Sequence, residues 1–307
     1  MGRPFLQTLV LLLRAGRLHF LPAGFLLYLL GALFAVRTGS PFSLPAFLAG
    51  YAVCGTAHLS VSYSNDYFDR FSDDPEHRSM FSGGSGVLPR HPELAGTVLG
   101  IAVALSLVSL AGSLVLVLAY GFPAYLPAFV AAGLALGWGY SAPPFRLSCR
   151  GFGEVATMAA FGVFLPGGGY LFLSQSPDPA YLWLMVPLFL AGLFFIVSVE
   201  LPDYGNDRKT AKRTLVVRLG PKKALAAAVA AVAVSLLLFL LAGAAGRPPA
   251  GFFPVMGAGL IILLLAGMYG IAADSADFRT AQKITGLNIT AIILFILTGI
   301  GALATGL

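Results

Sequence analysis

Residues 44–73 read LPAFLAGYAVCGTAHLSVSYSNDYFDRFSD, an apolar run of 20 residues that gives way to Asn65, Asp66, Asp69 and Asp73. About 20 apolar residues in a helix match the hydrocarbon thickness of a bilayer. Lipid offers no partner to backbone groups that a helix leaves unpaired. The stretch therefore predicts a transmembrane helix that delivers carboxylates to one membrane face.

Outward from it the same pattern recurs, and the candidate spans are 18–36, 44–63, 94–118, 122–140, 153–174, 180–200, 222–245, 250–272 and 284–306. Only the turn Tyr120-Gly121-Phe122-Pro123 separates the third from the fourth. The 307 residues are 58% hydrophobic and 10% charged, with mean hydropathy +0.86, whereas a soluble domain carries about 25% charge. The pI of 9.4 is then a matter of which loops hold the basic residues, and no nucleic-acid partner is expected. Phe5–Leu13, followed by Arg14 and Arg17, predicts an amphipathic interfacial helix and not a cleaved leader. Cys54 lies in an apolar run and Cys149 in a polar loop, so the two are not expected to pair.

With the N-terminus cytoplasmic, 17 of the 19 Lys and Arg residues fall in cytoplasmic segments, and only Arg37 and Arg247 lie outside. This bias fits nine spans and places the C-terminus outside; the plasma membrane of a prokaryote is the expected location. Of the 13 Asp and Glu, six lie in 64–93 and three in 200–207. Two cytoplasmic loops thus concentrate the acid of a chain that otherwise avoids charge.

Asn65, Asp69 and Asp73 are spaced by four, and each such step advances ~40° around a helix. A helix continuing past the membrane would carry all three on one face, with Asp66 beside them. Asp203 and Asp207 repeat the spacing, followed by Arg208, Lys209, Lys212 and Arg213. Stacked carboxylates need a cation, and a few protein oxygens completed by water and phosphate is how Mg²⁺ is held. A basic cluster beside them suits a polyanion. Solvated loops that only fix topology also carry such charges, but two matched clusters on one side argue against that.

These residues resemble the UbiA-type prenyltransferase superfamily, which has nine transmembrane helices around a central cavity, NDxxDxxxD after the second and DxxxD after the sixth. Asn65–Asp73 and Asp203–Asp207 match both motifs. Tyr140-Ser141-Ala142-Pro143-Pro144-Phe145-Arg146-Leu147 is similar to the family's YSxPPxRL segment, and Gly151–Glu154 to the RGLGE after it. Asp207–Leu215 with Val217–Gly220 is similar to the DRxxGKRTLAVRLG run of the menaquinone-type branch, although Ala211 replaces a Gly. Arg78–Gly86 departs from the family's Arg-Pro pair; its glycines either wrap phosphate with N–H groups or merely connect.

The resemblance implies one all-α membrane domain over 1–307, with cap loops after helices 2 and 6. It implies Mg²⁺-dependent transfer of a polyprenyl group from a polyprenyl diphosphate to a small hydrophobic or aromatic acceptor, a quinone precursor, within the bilayer. Two Mg²⁺ would be held by Asn65, Asp66, Asp69, Asp73, Asp203 and Asp207, with Asp69, Asp73, Asp203 and Asp207 the catalytic carboxylates. Arg70, Lys212, Arg213 and Arg146 are the candidates for phosphate contact. Tyr140 is either a lining residue of the reacting end or an interfacial anchor. His58, seven residues before Asn65 and on nearly the same face, contacts the acceptor, orients a ligand Asn or bonds a neighbouring helix. Asn288 faces the same choice, with glue between helices as its plainer role. Glu154 is a cavity residue or a helix-start charge.

Two other classes use similar residues. A CDP-alcohol phosphotransferase has a single compact Asp motif with an Ala-Arg insert, which this chain lacks. A cation transporter holds its ligands near the midplane in broken helices, whereas both acidic clusters here stand at a membrane face.

Overall fold

The structure is a computed structural model that describes residues 5–73, 84–210, 212–273, 275 and 277–306. Arg78–Gly83 and Ala211, singled out above, lie outside these residues. The main helices are α1 (Phe5–Ala15), α2 (Leu21–Arg37), α3 (Leu44–Asp69), α4 (Ala95–Tyr120), α5 (Leu126–Ser141), α6 (Gly153–Ser174), α7 (Leu182–Glu200), α8 (Pro221–Ala244), α9 (Phe252–Ala272) and α10 (Phe278–Thr305). No strand occurs among the described residues. The Ser43 and Asp277 side chains cap α3 and α10 by accepting from the amides of Ala46 and Thr280. α1 buries only Ala15 and exposes Phe5, Leu6, Leu9 and Leu13, which suits a helix lying in the membrane interface. Cys54 and Cys149 are both free thiols.

Among the described residues, eight helices are long and apolar enough to cross a membrane: α2 to α4 and α6 to α10, some with a short lead-in turn. The fourth candidate span is represented by α5, whose 16 residues cover ~24 Å at 1.5 Å per residue, less than the ~30 Å of a hydrocarbon core. Its ends nevertheless lie at opposite ends of the bundle. Phe122, just before it, meets Phe172 with ring centroids 6.2 Å apart, whereas Ser141 reaches Asp69.

Close backbone approach holds α2 to α6. A Cβ on Gly31 would lie 1.8 Å from the Pro166 carbonyl oxygen, and one on Gly169 would lie 1.8 Å from that of Tyr28. Small residues permit such contact where lipid supplies no hydrophobic drive between helices. Within α6 the backbone widens into a π-helical turn at Ala160–Phe164. Pro166 has no N–H to donate to Gly162. The Tyr181 hydroxyl donates instead, to Gly162 O at 3.1 Å and Val163 O at 3.3 Å.

An aromatic cluster of Phe34, Tyr170, Tyr181 and Phe252 marks the bundle end away from the Asp motifs. There Arg37 donates to the carbonyls of Leu303 and Ala304 at the end of α10, at 2.5 and 3.1 Å. The Arg247 guanidinium lies 4.7 Å from the Trp183 ring centroid. Both basic residues expected outside therefore have a structural partner at this end.

Candidate active site

The helix expected to carry Asn65, Asp69 and Asp73 on one face stops at Asp69. The Ser72 hydroxyl donates to the Asp69 carbonyl at 2.9 Å, and the amides of Ser72 and Asp73 reach the same oxygen at 2.8 and 3.0 Å. Such local side-chain bonding competes with helix continuation. A tight turn, not a fourth helical step, brings Asp73 back over the helix end. Gly84, at φ +67°, then passes so near that a Cβ would sit 1.8 Å from Asp73 Oδ2, a place only glycine fills. Ser85 follows, and its amide and hydroxyl donate to Asp66 Oδ1 and Oδ2, each at 2.7 Å. The described end of the glycine-rich loop thus holds Asp66 of the first motif.

The second motif forms one turn, Tyr204–Asp207, with the Asp207 amide donating to the Asp203 carbonyl at 2.8 Å. Two contacts bring the motifs together. Lys212 Nζ lies 3.8 Å from Asp73 Oδ1 and 3.7 Å from Asp207 Oδ1. Asn206 Nδ2 donates to the Ser72 carbonyl at 2.9 Å, joining residues 134 apart. The Tyr140–Leu147 segment joins them, because Ser141 Oγ donates to Asp69 Oδ2 at 2.6 Å. Glu154 accepts from the Leu215 amide, and the Arg213 amide donates to the Ser148 carbonyl at 3.1 Å. These bonds tie the Lys212–Leu219 run to the segment after α5 and to the first turn of α6.

The site is short of positive charge. Burial pushes the Asp73 carboxyl up to about 7; Lys212 opposes this, while Asp69 and Asp66 add to it. Burial likewise raises Asp207 against the pull of Lys212. Burial alone would lower Lys212, but the carboxylates of Asp207, Asp69, Asp73 and Asp203 reverse that and keep the ammonium protonated. One ammonium does not neutralise so many carboxyl groups, and a divalent cation fits the deficit. Among the described residues, Asn65 Oδ1 and Asp207 Oδ1 are buried acceptors without a hydrogen-bond donor, although Asp207 Oδ1 faces the Lys212 ammonium at 3.7 Å; metal-facing oxygens would look the same. Among the described residues, no three Asp, Glu, His or Cys side chains form a cage by themselves. An ion here would need phosphate and water oxygens as well, which is the habit of Mg²⁺.

The other expected residues are placed less uniformly. Arg70 stacks on the rings of Tyr67 and Phe71, at 4.0 and 4.2 Å, and donates to the Tyr67 carbonyl. Arg146 and Arg213 are exposed. Tyr140 packs on Gly153 and stands within electrostatic reach of Glu200, Asp69, Glu154 and Asp207. His58 packs over Gly24 of α2, and Asn288 donates to Ser198 Oγ at 2.9 Å, bridging α10 to α7. Four residues were not foreseen: Ser85, Ser141, Asn206 and Glu200. The first three lie inside the quoted stretches, but only the fold reveals what they bond. Glu200 is buried, and among the described residues neither carboxyl oxygen has a hydrogen-bond partner.

Known proteins repeat both sequence and fold. The chain is similar to the 1,4-dihydroxy-2-naphthoate octaprenyltransferase of Mycobacterium leprae (strain TN), 30% identical over 164 residues. That match covers 53% of each protein, so the chain spans about half the length of this curated relative. A UbiA homolog from Archaeoglobus fulgidus, bound to DMAPP and Mg²⁺, superposes with TM-score 0.67 at 18% identity, over 94% of this chain and 99% of that one. The same homolog bound to GPP and Mg²⁺ gives 0.65 at 19%, over 94% and 99%. The apo UbiA homolog from Aeropyrum pernix K1 gives 0.59 at 18%, over 89% and 98%. Helical order, joined Asp motifs and these likenesses converge with the family model, which matches residues 25–288: the chain belongs to the UbiA prenyltransferase family.

Proposed function

We propose that the chain transfers a polyprenyl group from a polyprenyl diphosphate to an aromatic, quinone-precursor acceptor at the cytoplasmic face of the membrane. The observation that carries this reading is Lys212 poised between Asp73 and Asp207, at 3.8 and 3.7 Å. It gathers acid and base from two loops at the end of an apolar bundle, as a lipid diphosphate requires. The relatives support the donor, since homologs were solved with DMAPP or GPP and Mg²⁺, and the name of the curated relative supports the acceptor.

In this reading Asn65, Asp69, Asp73, Asp203 and Asp207 would hold two Mg²⁺, while Ser85 fixes Asp66 beside them. When bound, the ions supply positive charge that stabilises the leaving diphosphate. Lys212 binds a phosphate oxygen, and Arg213 and Arg146 guide the polyanion in from the exposed rim. The allylic C–O bond breaks with its electron pair on the diphosphate, and a ring carbon of the acceptor bonds to the freed allylic carbon. The ring proton leaves to the diphosphate, which restores aromaticity. Tyr140 lines the reacting end, and the surrounding helices exclude water that would otherwise capture the cation. The 1–307 chain acts as one domain, with α5 as a ninth crossing, because its ends lie at opposite ends of the bundle. The N-terminus and the mouth of the site are cytoplasmic in a prokaryotic plasma membrane.

The test uses purified protein, Mg²⁺, labelled geranylgeranyl diphosphate and a panel of hydroxylated aromatic acids. Prenylated product is expected, with loss of at least about a hundredfold in Asp69→Ala and Asp207→Ala. No product with any acceptor, or full diphosphate release by both variants, refutes the reading.

A further inference from the structure

Glu200 closes α7 three residues before Asp203, with a relative exposure of 6%. Glu200, Asp203 and Asp207 repeat the spacing of Asp66, Asp69 and Asp73. The two leading carboxyls differ in their partners. Both oxygens of Asp66 accept from Ser85, whereas among the described residues neither oxygen of Glu200 has a hydrogen-bond donor. Native proteins rarely leave a buried polar group unanswered, and each exception needs a reason, such as a catalytic role or a bound water, ion or ligand. The neighbouring Glu154 has a partner in the Leu215 amide. Around Glu200 stand Glu154, Asp207, Lys212 and Asp203, with Tyr140 in electrostatic reach.

Depth selects the missing partner. Glu200 lies about one turn, some ~5 Å, on the bilayer side of Asp203. If the diphosphate is held at Lys212, between Asp73 and Asp207, its first allylic carbon would lie on the bilayer side, toward the level of Glu200. The prenyl tail has no polar atom to offer, but an acceptor ring brought against that carbon does. We propose that Glu200 accepts a hydrogen bond from a ring hydroxyl of the aromatic acceptor and so holds the neighbouring ring carbon against the allylic carbon. This rests on the prenyl-transfer reading above. The hydroxyl keeps its proton and is held by a carboxyl oxygen of Glu200, which orients the ring. The new C–C bond forms as the C–O bond breaks, and the only proton released is that of the substituted ring carbon, which passes to the diphosphate.

The test compares the full-length protein with Glu200→Gln, using geranylgeranyl diphosphate with 1,4-dihydroxy-2-naphthoate and its O-methyl ethers as acceptors. Mn²⁺ binding and binding of an unreactive thiolodiphosphate donor analogue are measured alongside. For Glu200→Gln the acceptor KM is expected to rise about 10- to 100-fold, with Mn²⁺ and analogue affinities within about twofold of the parent. O-methylation should impair the parent protein and add little further loss in the variant. An unchanged acceptor KM overturns the assignment. So does a tenfold loss of Mn²⁺ affinity, which would make Glu200 a metal ligand. Equal turnover of the ethers by the parent protein overturns it without any variant. All three outcomes leave prenyl transfer standing, whereas no product from the parent with any hydroxylated acceptor removes both.

Discussion

Removing the ammonium of Lys212 leaves Asp73 and Asp207 buried without their shared cation. Breaking a buried pair costs about 3–5 kcal/mol. Asp73 already holds its proton up to about pH 7, so protonation relieves part of that cost. Lys212→Met is therefore expected to destabilise by about 1–3 kcal/mol and to abolish binding of the thiolodiphosphate analogue. Thermal unfolding in detergent and an analogue titration check this, and an unchanged midpoint with intact binding refutes it. The raised Asp73 has a second consequence. A cation that binds its carboxylate must displace the proton, so Mn²⁺ affinity should climb roughly tenfold per pH unit up to about 7 and level off above. Titrations from pH 5.5 to 8.5 decide this; a flat profile removes Asp73 from the metal site. At this scale the sequence displayed the acids themselves, because charge inside an apolar chain is conspicuous. It did not display Ser141 on Asp69 or Ser85 on Asp66, since a serine near a membrane face has no chemistry until the fold chooses its neighbour.

Helix packing depends on glycines that composition alone does not single out. Gly169→Ala pushes a methyl into the Tyr28 carbonyl across the α2–α6 contact. It should destabilise by about 1–3 kcal/mol or more, as overpacking does. Gly286→Ala is the matched control, since a Cβ there meets nothing within 4 Å. It should be neutral or stabilising by up to ~1 kcal/mol. Thermal unfolding of both in the same detergent separates packing from composition; equal shifts refute the close-packed interface. The apolar runs announced the helices because bilayer thickness sets their length. They were silent about these contacts, because a glycine facing lipid and one facing a backbone look the same in a run. The π-helical turn of α6 and the shortness of α5 were equally hidden, since each follows from how neighbouring helices meet.

For the whole molecule the charge bias predicts sidedness. In a Cys149→Ser background, an impermeant maleimide on intact cells should label Ala245→Cys and spare Lys209→Cys until the membrane is opened. The reverse pattern inverts the topology. That bias was legible because lysine and arginine crowd the loops beside the Asp motifs, and its two exceptions are explained by the partners of Arg37 and Arg247. The meeting of the two motifs was legible only as a shared side; their contact needed the folded bundle. The Asn206–Ser72 bond also sets a timetable, because its partners are 134 residues apart in the chain. A ribosome adding about 5–20 residues per second completes the second loop roughly 7–27 s after the first. Throughout that interval the nascent chain displays the first carboxylates at the membrane without the lysine that answers them. A polypeptide stalled or cleaved in this window lacks Lys212 and the second motif and so has only half of the site.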